Sequence, residues 1–170
     1  MDHRHPLQTF TQATTQQHWQ VINDGVMGGV SASELIFSPP DTLRFRGTVS
    51  FENNGGFASV QTPLPQPLPS EARGVYLLAQ GDGHSFKFRL YQIHQGRRTR
   101  YAADFTPDTA DFQLIELPFT AFAATFRGRP DRGAPPLTPA LLTDWGFLIS
   151  RQEGAFQLAV KELGYLTAGD

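Results

Sequence analysis

Short apolar runs with a period of two dominate the chain. Leu43, Phe45, Val49 and Phe51 share one parity, and Arg44, Arg46, Thr48 and Ser50 the other. This is the pattern of a strand with one buried face. Phe86, Phe88 and Leu90 alternate with Lys87 and Arg89 in the same way. Further strand patterns run over 75–80, 98–105, 112–117, 145–150 and 156–160. Turn residues recur every 8–12 positions, so the pattern predicts about nine or ten strands in a sandwich or jelly roll.

The turns carry their own chemistry. Gly81-Asp82-Gly83, between two strand patterns, predicts a hairpin, and Gly96 marks the next turn. Thr62 to Pro69 holds four prolines, which exclude a central strand or a helix and predict an extended crossover loop. Helical signals are few. Thr138 before Pro139 predicts a single helical turn. Phe119, Phe122 and Phe126 fall at i, i+3 and i+7 after Pro118. They predict one face of a short helix that Gly128 ends, its aromatics plugging the end of the sandwich.

Composition narrows the function classes. The 170 residues include 14 Phe and 39% hydrophobic side chains, enough for one packed domain. With no cysteine, disulfides, thiol nucleophiles and Cys-type zinc sites are excluded. No apolar run is long enough to span a membrane as a helix, and the start of the chain has no signal-peptide core. The expected location is cytoplasmic. The net charge of −2 argues against a general nucleic-acid binder. The charge is nevertheless uneven. Residues 84–132 hold eight basic groups (Lys87, Arg89, Arg97, Arg98, Arg100, Arg127, Arg129 and Arg132) against five acidic ones, so a basic face able to meet an acidic partner is expected there.

Catalytic signatures are absent from the sequence. The five histidines have no metal-ligand spacing, and there is no nucleophile elbow and no phosphate-binding loop. Asp104, Asp108 and Asp111 cluster in sequence, but they read as solvated acids beside a turn. Two segments stand out: 19–31, containing Asn23-Asp24-Gly25 and Gly28-Gly29, and 53–60, containing Asn53-Asn54-Gly55-Gly56. Asn, Asp and Gly at these positions suit turns with left-handed backbone. The same residues also make an oxygen-rich rim that fits Ca²⁺ or sugar hydroxyls, and Asn23, Asp24 and Asn54 are its candidates.

The string Trp19…Asn23-Asp24-Gly25-Val26-Met27-Gly28-Gly29…Ser31 resembles the opening motif of the complex I intermediate-associated protein family, the thirty-kilodalton assembly factor and its bacterial relatives. Asn54-Gly55-Gly56-Phe57-Ala58-Ser59 is similar to its second motif. Tyr101…Phe105, Pro118 to Phe122 and Thr125 to Arg129 are similar to later blocks, and Gly146 to Ser150 and Gly154 to Leu158 to its closing strands. The resemblance covers about residues 18–166. It implies a galactose-binding-domain-like jelly-roll β-sandwich, all-β with one or two short helical turns. It also implies a chaperone-like part in assembling NADH:ubiquinone oxidoreductase, with no reaction catalysed. Asp2, His3 and His5 do not suit a transit peptide, so the stand-alone bacterial-type form is expected. The domain plan is a flexible segment over 1–17, one sandwich over 18–166 and a tail over 167–170.

The expected function is a non-catalytic binding module, an assembly factor whose client is a protein such as a respiratory-complex subunit. Phe126, Arg127 and Arg129 are its interface candidates, because Arg and aromatic residues most often dominate protein contacts. No catalytic residue, metal site or cofactor is assigned, calcium at the Asn/Asp/Gly loops being the one candidate ion. The alternative is a lectin-like carbohydrate-binding module in which Trp19, Tyr91 and Tyr101 stack on sugar faces.

Overall fold

The computed structural model of the chain describes residues 3–10, 18–23, 29, 31–52 and 56–169. Thirteen strands build two antiparallel sheets packed face to face among these residues. The first sheet runs β3 (Ala32–Ser38), β4 (Thr42–Val49), β13 (Gly154–Thr167), β6 (Ala72–Gln80) and β9 (Gln113–Pro118). The long β13 gives one edge to two partners in turn. Residues 154–160 pair with β4, and residues 162–167 pair with β1 (His3–Thr9). The second sheet runs β11 (Arg129–Pro130), β10 (Ala123–Phe126), β8 (Arg97–Phe105), β7 (Phe86–His94), β12 (Leu142–Ser150), β5 (Phe57–Pro63) and β2 (Gln20–Asn23).

The period-two patterns become the core. Phe45, Val75, Leu77, Phe88, Leu90, Trp145, Phe147, Leu158 and Val160 are buried between the sheets. Aromatic rings interlock at the centre. Phe88 meets Phe147 edge-on with centroids 5.4 Å apart and Trp145 at 6.0 Å, the perpendicular geometry that ring quadrupoles favour.

Several expectations need correction. Residues 3–10 are not a loose lead-in: β1 pairs with β13, and Phe10 is fully buried. Leu7 packs against the core, and that burial offsets the cost of ordering the segment. At the other end, β13 carries Thr167 into the sheet opposite His3, so the tail is shorter than expected. Gly81–Gly83 is not a hairpin. β6 and β7 lie in different sheets, and the turn passes the chain from one layer to the other. Asp82 secures it by accepting from the backbone N–H of His84 (3.1 Å) and of Gln157 (2.7 Å). The Gly96 turn is a true hairpin, with left-handed Gln95 and Gly96 joining β7 to β8. The Pro-rich segment crosses between sheets after β5.

The helix expected from Phe119, Phe122 and Phe126 is a 3-10 turn over Phe119–Ala121 that runs straight into β10. Pairing of Ala123–Thr125 with β8 competes with helix formation and wins. Phe119 and Phe122 do pack on the core, whereas Phe126 is 64% exposed. The second 3-10 turn, Pro139–Leu141, has Pro at its first position as expected.

Candidate functional site

Alternation along β7 and β8 divides their side chains between two environments. Phe86, Phe88, Leu90, Tyr101, Ala103 and Phe105 enter the core. Lys87, Arg89, Tyr91, Ile93, Arg98, Arg100 and Asp104 therefore lie on the outer face of the seven-stranded sheet. At one end of this ladder, Lys87 stands opposite Asp104, and their charged groups are 2.6 Å apart. The rest of the face is different. Arg98 lies over the ring of Tyr91, 4.8 Å from its centroid. Arg89 Nη1 donates to the Tyr91 hydroxyl at 3.5 Å, a long and weak contact. Arg100 is opposite Tyr91 in the ladder. Partial desolvation of this otherwise exposed side chain, first, and then the nearby Arg89 and Arg98 guanidiniums hold the Arg100 pKa below its ordinary value. None of Arg89, Arg98 and Arg100 forms an ion pair among the described residues. Arg89 Nε is buried with no hydrogen-bond partner.

The same strands position a basic hairpin. The ladder Thr125↔Arg100 sets β10 beside β8, so the β10–β11 turn projects at the end where the β7–β8 turn lies. Arg127 and Gly128 occupy left-handed backbone there, the two-residue turn that matches strand twist. Phe126 stands exposed at the tip with the Arg127 guanidinium 5.4 Å from its ring centroid. Arg129 is opposite Phe126 and also exposed. The base of the hairpin is braced. Arg97 donates to the Asp131 carboxylate and to the Gly133 carbonyl, each at 2.7 Å, and the Asp131 N–H donates to the Ala124 carbonyl.

Behind the hairpin lies a buried polar network. Gln92 is fully buried. Its Nε2 donates to the Tyr101 hydroxyl (3.1 Å) and to the Pro136 carbonyl (3.2 Å), and its Oε1 accepts from the Thr138 N–H (2.7 Å). The Tyr101 hydroxyl donates to the Pro135 carbonyl at 2.5 Å. Burial raises the Tyr101 pKa, so the phenol stays neutral and able to donate. The network fixes the 131–138 loop to the sheet.

The candidates from the sequence separate. Phe126, Arg127 and Arg129 share the hairpin. Asn23 ends β2 at the opposite end of the sheet, where Ala58 pairs with both Asn23 and Ile149. Its Oδ1 accepts from Ser33 Oγ at 2.8 Å. Asp24 and Asn54 lie outside the described residues, so the oxygen-rich rim cannot be assembled from them. Among the described residues no three His, Asp or Glu side chains are grouped as metal ligands, and no helix is long and apolar enough to cross a membrane. Asp104 is paired to Lys87, and the Asp108 side chain meets the backbone of its own turn, at the Ala110 N–H. Trp19 and Tyr101 are core residues, and Tyr91 is buried beneath Arg98, so none of the three presents a free ring face for a sugar.

Two packed antiparallel sheets with short edge strands and irregular loops define a jelly-roll module. Solved structures share this fold. A family 11 carbohydrate-binding module of a cellulosomal cellulase of Clostridium thermocellum superposes with a TM-score of 0.74, over 98% of this chain and 95% of that one, at 14% identity. A family 30 carbohydrate-binding module superposes with a TM-score of 0.61 over 99% of both chains, at 12% identity. In sequence, an uncharacterized protein of Schizosaccharomyces pombe is 28% identical over 169 residues, spanning 87% of this chain and 77% of that protein. Residues 8–160 match the family of complex I intermediate-associated protein 30. The chain belongs to that family.

Proposed function

We propose that the chain is a non-catalytic binding module that holds a protein partner during assembly of a larger complex, a respiratory-complex subunit being the client that the family name suggests. One observation carries the reading: a large aromatic, Phe126, is held 64% exposed on a braced hairpin between Arg127 and Arg129. An aromatic kept in water by a left-handed turn contributes nothing to the core. Aromatic and Arg side chains together are the residues that most often anchor protein interfaces. The base of the hairpin is braced by Arg97 on the Asp131 carboxylate and the Gly133 carbonyl, which lowers the ordering entropy that binding costs.

The test is co-purification of the tagged full chain from its native cell, with subunits identified by mass spectrometry. The variants are Phe126→Ser and the double substitution Arg127→Glu, Arg129→Glu. Both keep the fold, because all three side chains are exposed. Recovery of a defined client should drop at least tenfold in each. Undiminished recovery by folded variants would refute the hairpin as the contact. The jelly-roll likeness also makes a sugar ligand a measurable alternative. Saturable binding on a glycan array that survives these substitutions would replace the protein-binding reading.

A further inference from the structure

We propose that the outer face of the seven-stranded sheet, at Arg89, Arg98 and Arg100 around Tyr91, binds an extended acidic segment of a protein partner through its carboxylates. The proposal rests on the protein-binding reading above and gives that partner a chemistry. Four observations carry it.

The first is the lack of countercharge. On the same two strands Lys87 has Asp104 directly opposite, yet the three arginines form no ion pair among the described residues. No two of the three are directly opposite, since Arg89 faces Ala102, Arg100 faces Tyr91 and Arg98 faces Ile93, but Arg89 and Arg98 stand close enough to Arg100 to disfavour its charge, so the cluster is short of an anion. The second is an unsatisfied donor. Arg89 Nε is buried without a partner, and a buried donor left unpaired is costly. A carboxylate held at the outward Nη edge of Arg89 would draw the guanidinium toward solvent and give the uncovered Nε an acceptor, in the fork geometry that makes Arg–carboxylate pairs strong.

The third is spacing. Arg98 and Arg100 lie two residues apart on β8, about 7 Å at the rise of a strand. Alternate side chains of an extended peptide repeat at the same interval, so carboxylates at every second residue reach successive arginines. A single phosphate or sulfate has no use for a row. The fourth is an apolar rim. Ile93, next on the outer face of β7 and paired with Arg98, is 48% exposed, and the Phe126 hairpin stands at the same end of the sheet. A peptide with an apolar residue beyond its acids meets both. Asp144, opposite Tyr91 on β12, sets the limit of the basic face on that side.

The experiment is a calorimetric titration of the full chain at low salt with a synthetic peptide of alternating Glu and Ser ending in Leu-Leu. A matched peptide with Gln for every Glu is the control. The proteins are the unmodified chain, Arg89→Gln, Arg100→Gln and, on the other sheet, Arg46→Gln. The expected result is binding of the Glu peptide that weakens about tenfold in Arg89→Gln and in Arg100→Gln, is unchanged in Arg46→Gln, falls steeply with salt and is absent for the Gln peptide. Arg89→Lys and Arg100→Lys, which keep charge without the fork, should be intermediate. They also give a folded comparison should a Gln variant melt early. Equal binding by all proteins, or by both peptides, overturns the proposal. So does competition by inorganic phosphate or by a polygalacturonate fragment at concentrations where the peptide is displaced mole for mole, since the ligand would then be any anion or an acidic sugar. Loss of client recovery in the hairpin variants alongside unchanged peptide binding in Arg89→Gln and Arg100→Gln refutes this inference and leaves the protein-binding reading standing. Client recovery untouched by the hairpin variants refutes that reading instead.

Discussion

Gln92 is the residue whose loss should most clearly show how the hairpin is held. Its amide makes three hydrogen bonds at full burial, to the Tyr101 hydroxyl, the Pro136 carbonyl and the Thr138 N–H. In Gln92→Leu the volume is nearly kept, so the cost falls on the polar partners. The Tyr101 hydroxyl retains Pro135 as acceptor. The Thr138 N–H loses the acceptor provided by Gln92, and the Pro136 carbonyl keeps the Thr138 hydroxyl at 3.2 Å. With about 1–3 kcal/mol for the one buried group left unsatisfied, and Thr138 partly reachable by water, the expected loss is about 2 kcal/mol. A chain of this length loses about 2–4 °C per kcal/mol, which gives a fall of roughly 6 °C in melting temperature. The damage should also be local: hydrogen exchange at Thr138 and through 131–138 accelerates more than exchange in β12. Tyr101→Phe should be milder, and the double variant less than additive, because the two side chains share one network. A fall of less than about 3 °C, or exchange in the loop unchanged relative to β12, would refute the claim that Gln92 anchors the hairpin's base.

Two further perturbations probe the sandwich itself. A Cβ added to Gly146 would stand 2.0 Å from the Val60 carbonyl oxygen and 2.8 Å from the Gln61 Cα, so Gly146→Ala forces β5 away from β12. Its cost should exceed about 3 kcal/mol, read as a lower urea midpoint, and a variant within about 1 kcal/mol of the parent would contradict the close pairing. Tyr76 is fully buried, and its hydroxyl donates to Glu162 at 2.7 Å. Burial, then that carboxylate, raise its pKa well above the usual phenol value, with Arg4 acting in the opposite sense. The unfolded chain therefore releases this proton first. The stability is present below about pH 10 and is lost as pH climbs above it. Melting curves from about pH 9 to 11 should steepen downward in the parent and flatten in Tyr76→Phe. Identical slopes would refute the assignment.

Much of this architecture was legible because a strand writes itself in period two. Phe86-Lys87-Phe88-Arg89-Leu90 announces both a core face and a charged face, and Trp145 to Ser150 a strand. What pattern cannot supply is which sheet a strand joins. Gly81-Asp82-Gly83 suits a hairpin and a layer crossing equally well in local terms, and only the pairing of β6 with β13 and of β7 with β12 decides between them. Phe119, Phe122 and Phe126 misled for a related reason. Helical spacing is a weak prior, and three ladder positions against β8 outweigh it. Residues 3–9 carry little apolar signal, since they gain order from the free edge of β13 and from Phe10 beyond them. For the site, Phe126, Arg127 and Arg129 were visible as aromatic and Arg residues around a Gly128 expected to end a helix, and the hairpin that carries them was not visible. Arg89, Arg98 and Arg100 were visible as charge. Their convergence on Tyr91 required the register of β7 on β8, though the parity of Arg89 with Lys87 and Tyr91 was already the signal that they share a face.

The two ends of the β7–β8 ladder treat charge in opposite ways, and the contrast separates what stabilises the sheet from what the sheet is for. Lys87 and Asp104 are an exposed pair of opposite sign directly across the ladder, an arrangement that contributes modestly to sheet stability. Arg89, Arg98 and Arg100 repel one another, and the lowered Arg100 pKa registers partial desolvation first and that repulsion second. Removing one charge from the unliganded chain should therefore stabilise it. Arg100 is exposed enough for solvent to screen most of the effect, which leaves a few tenths of a kcal/mol, or a rise of about 1 °C in Arg100→Gln at low salt that vanishes as salt is added. The same substitution should cost about tenfold in affinity for the acidic peptide. A residue whose removal raises stability and lowers binding is retained for the ligand. A fall in melting temperature in Arg100→Gln at low salt, or a rise that salt leaves untouched, would show that Arg100 serves the fold through its stem instead.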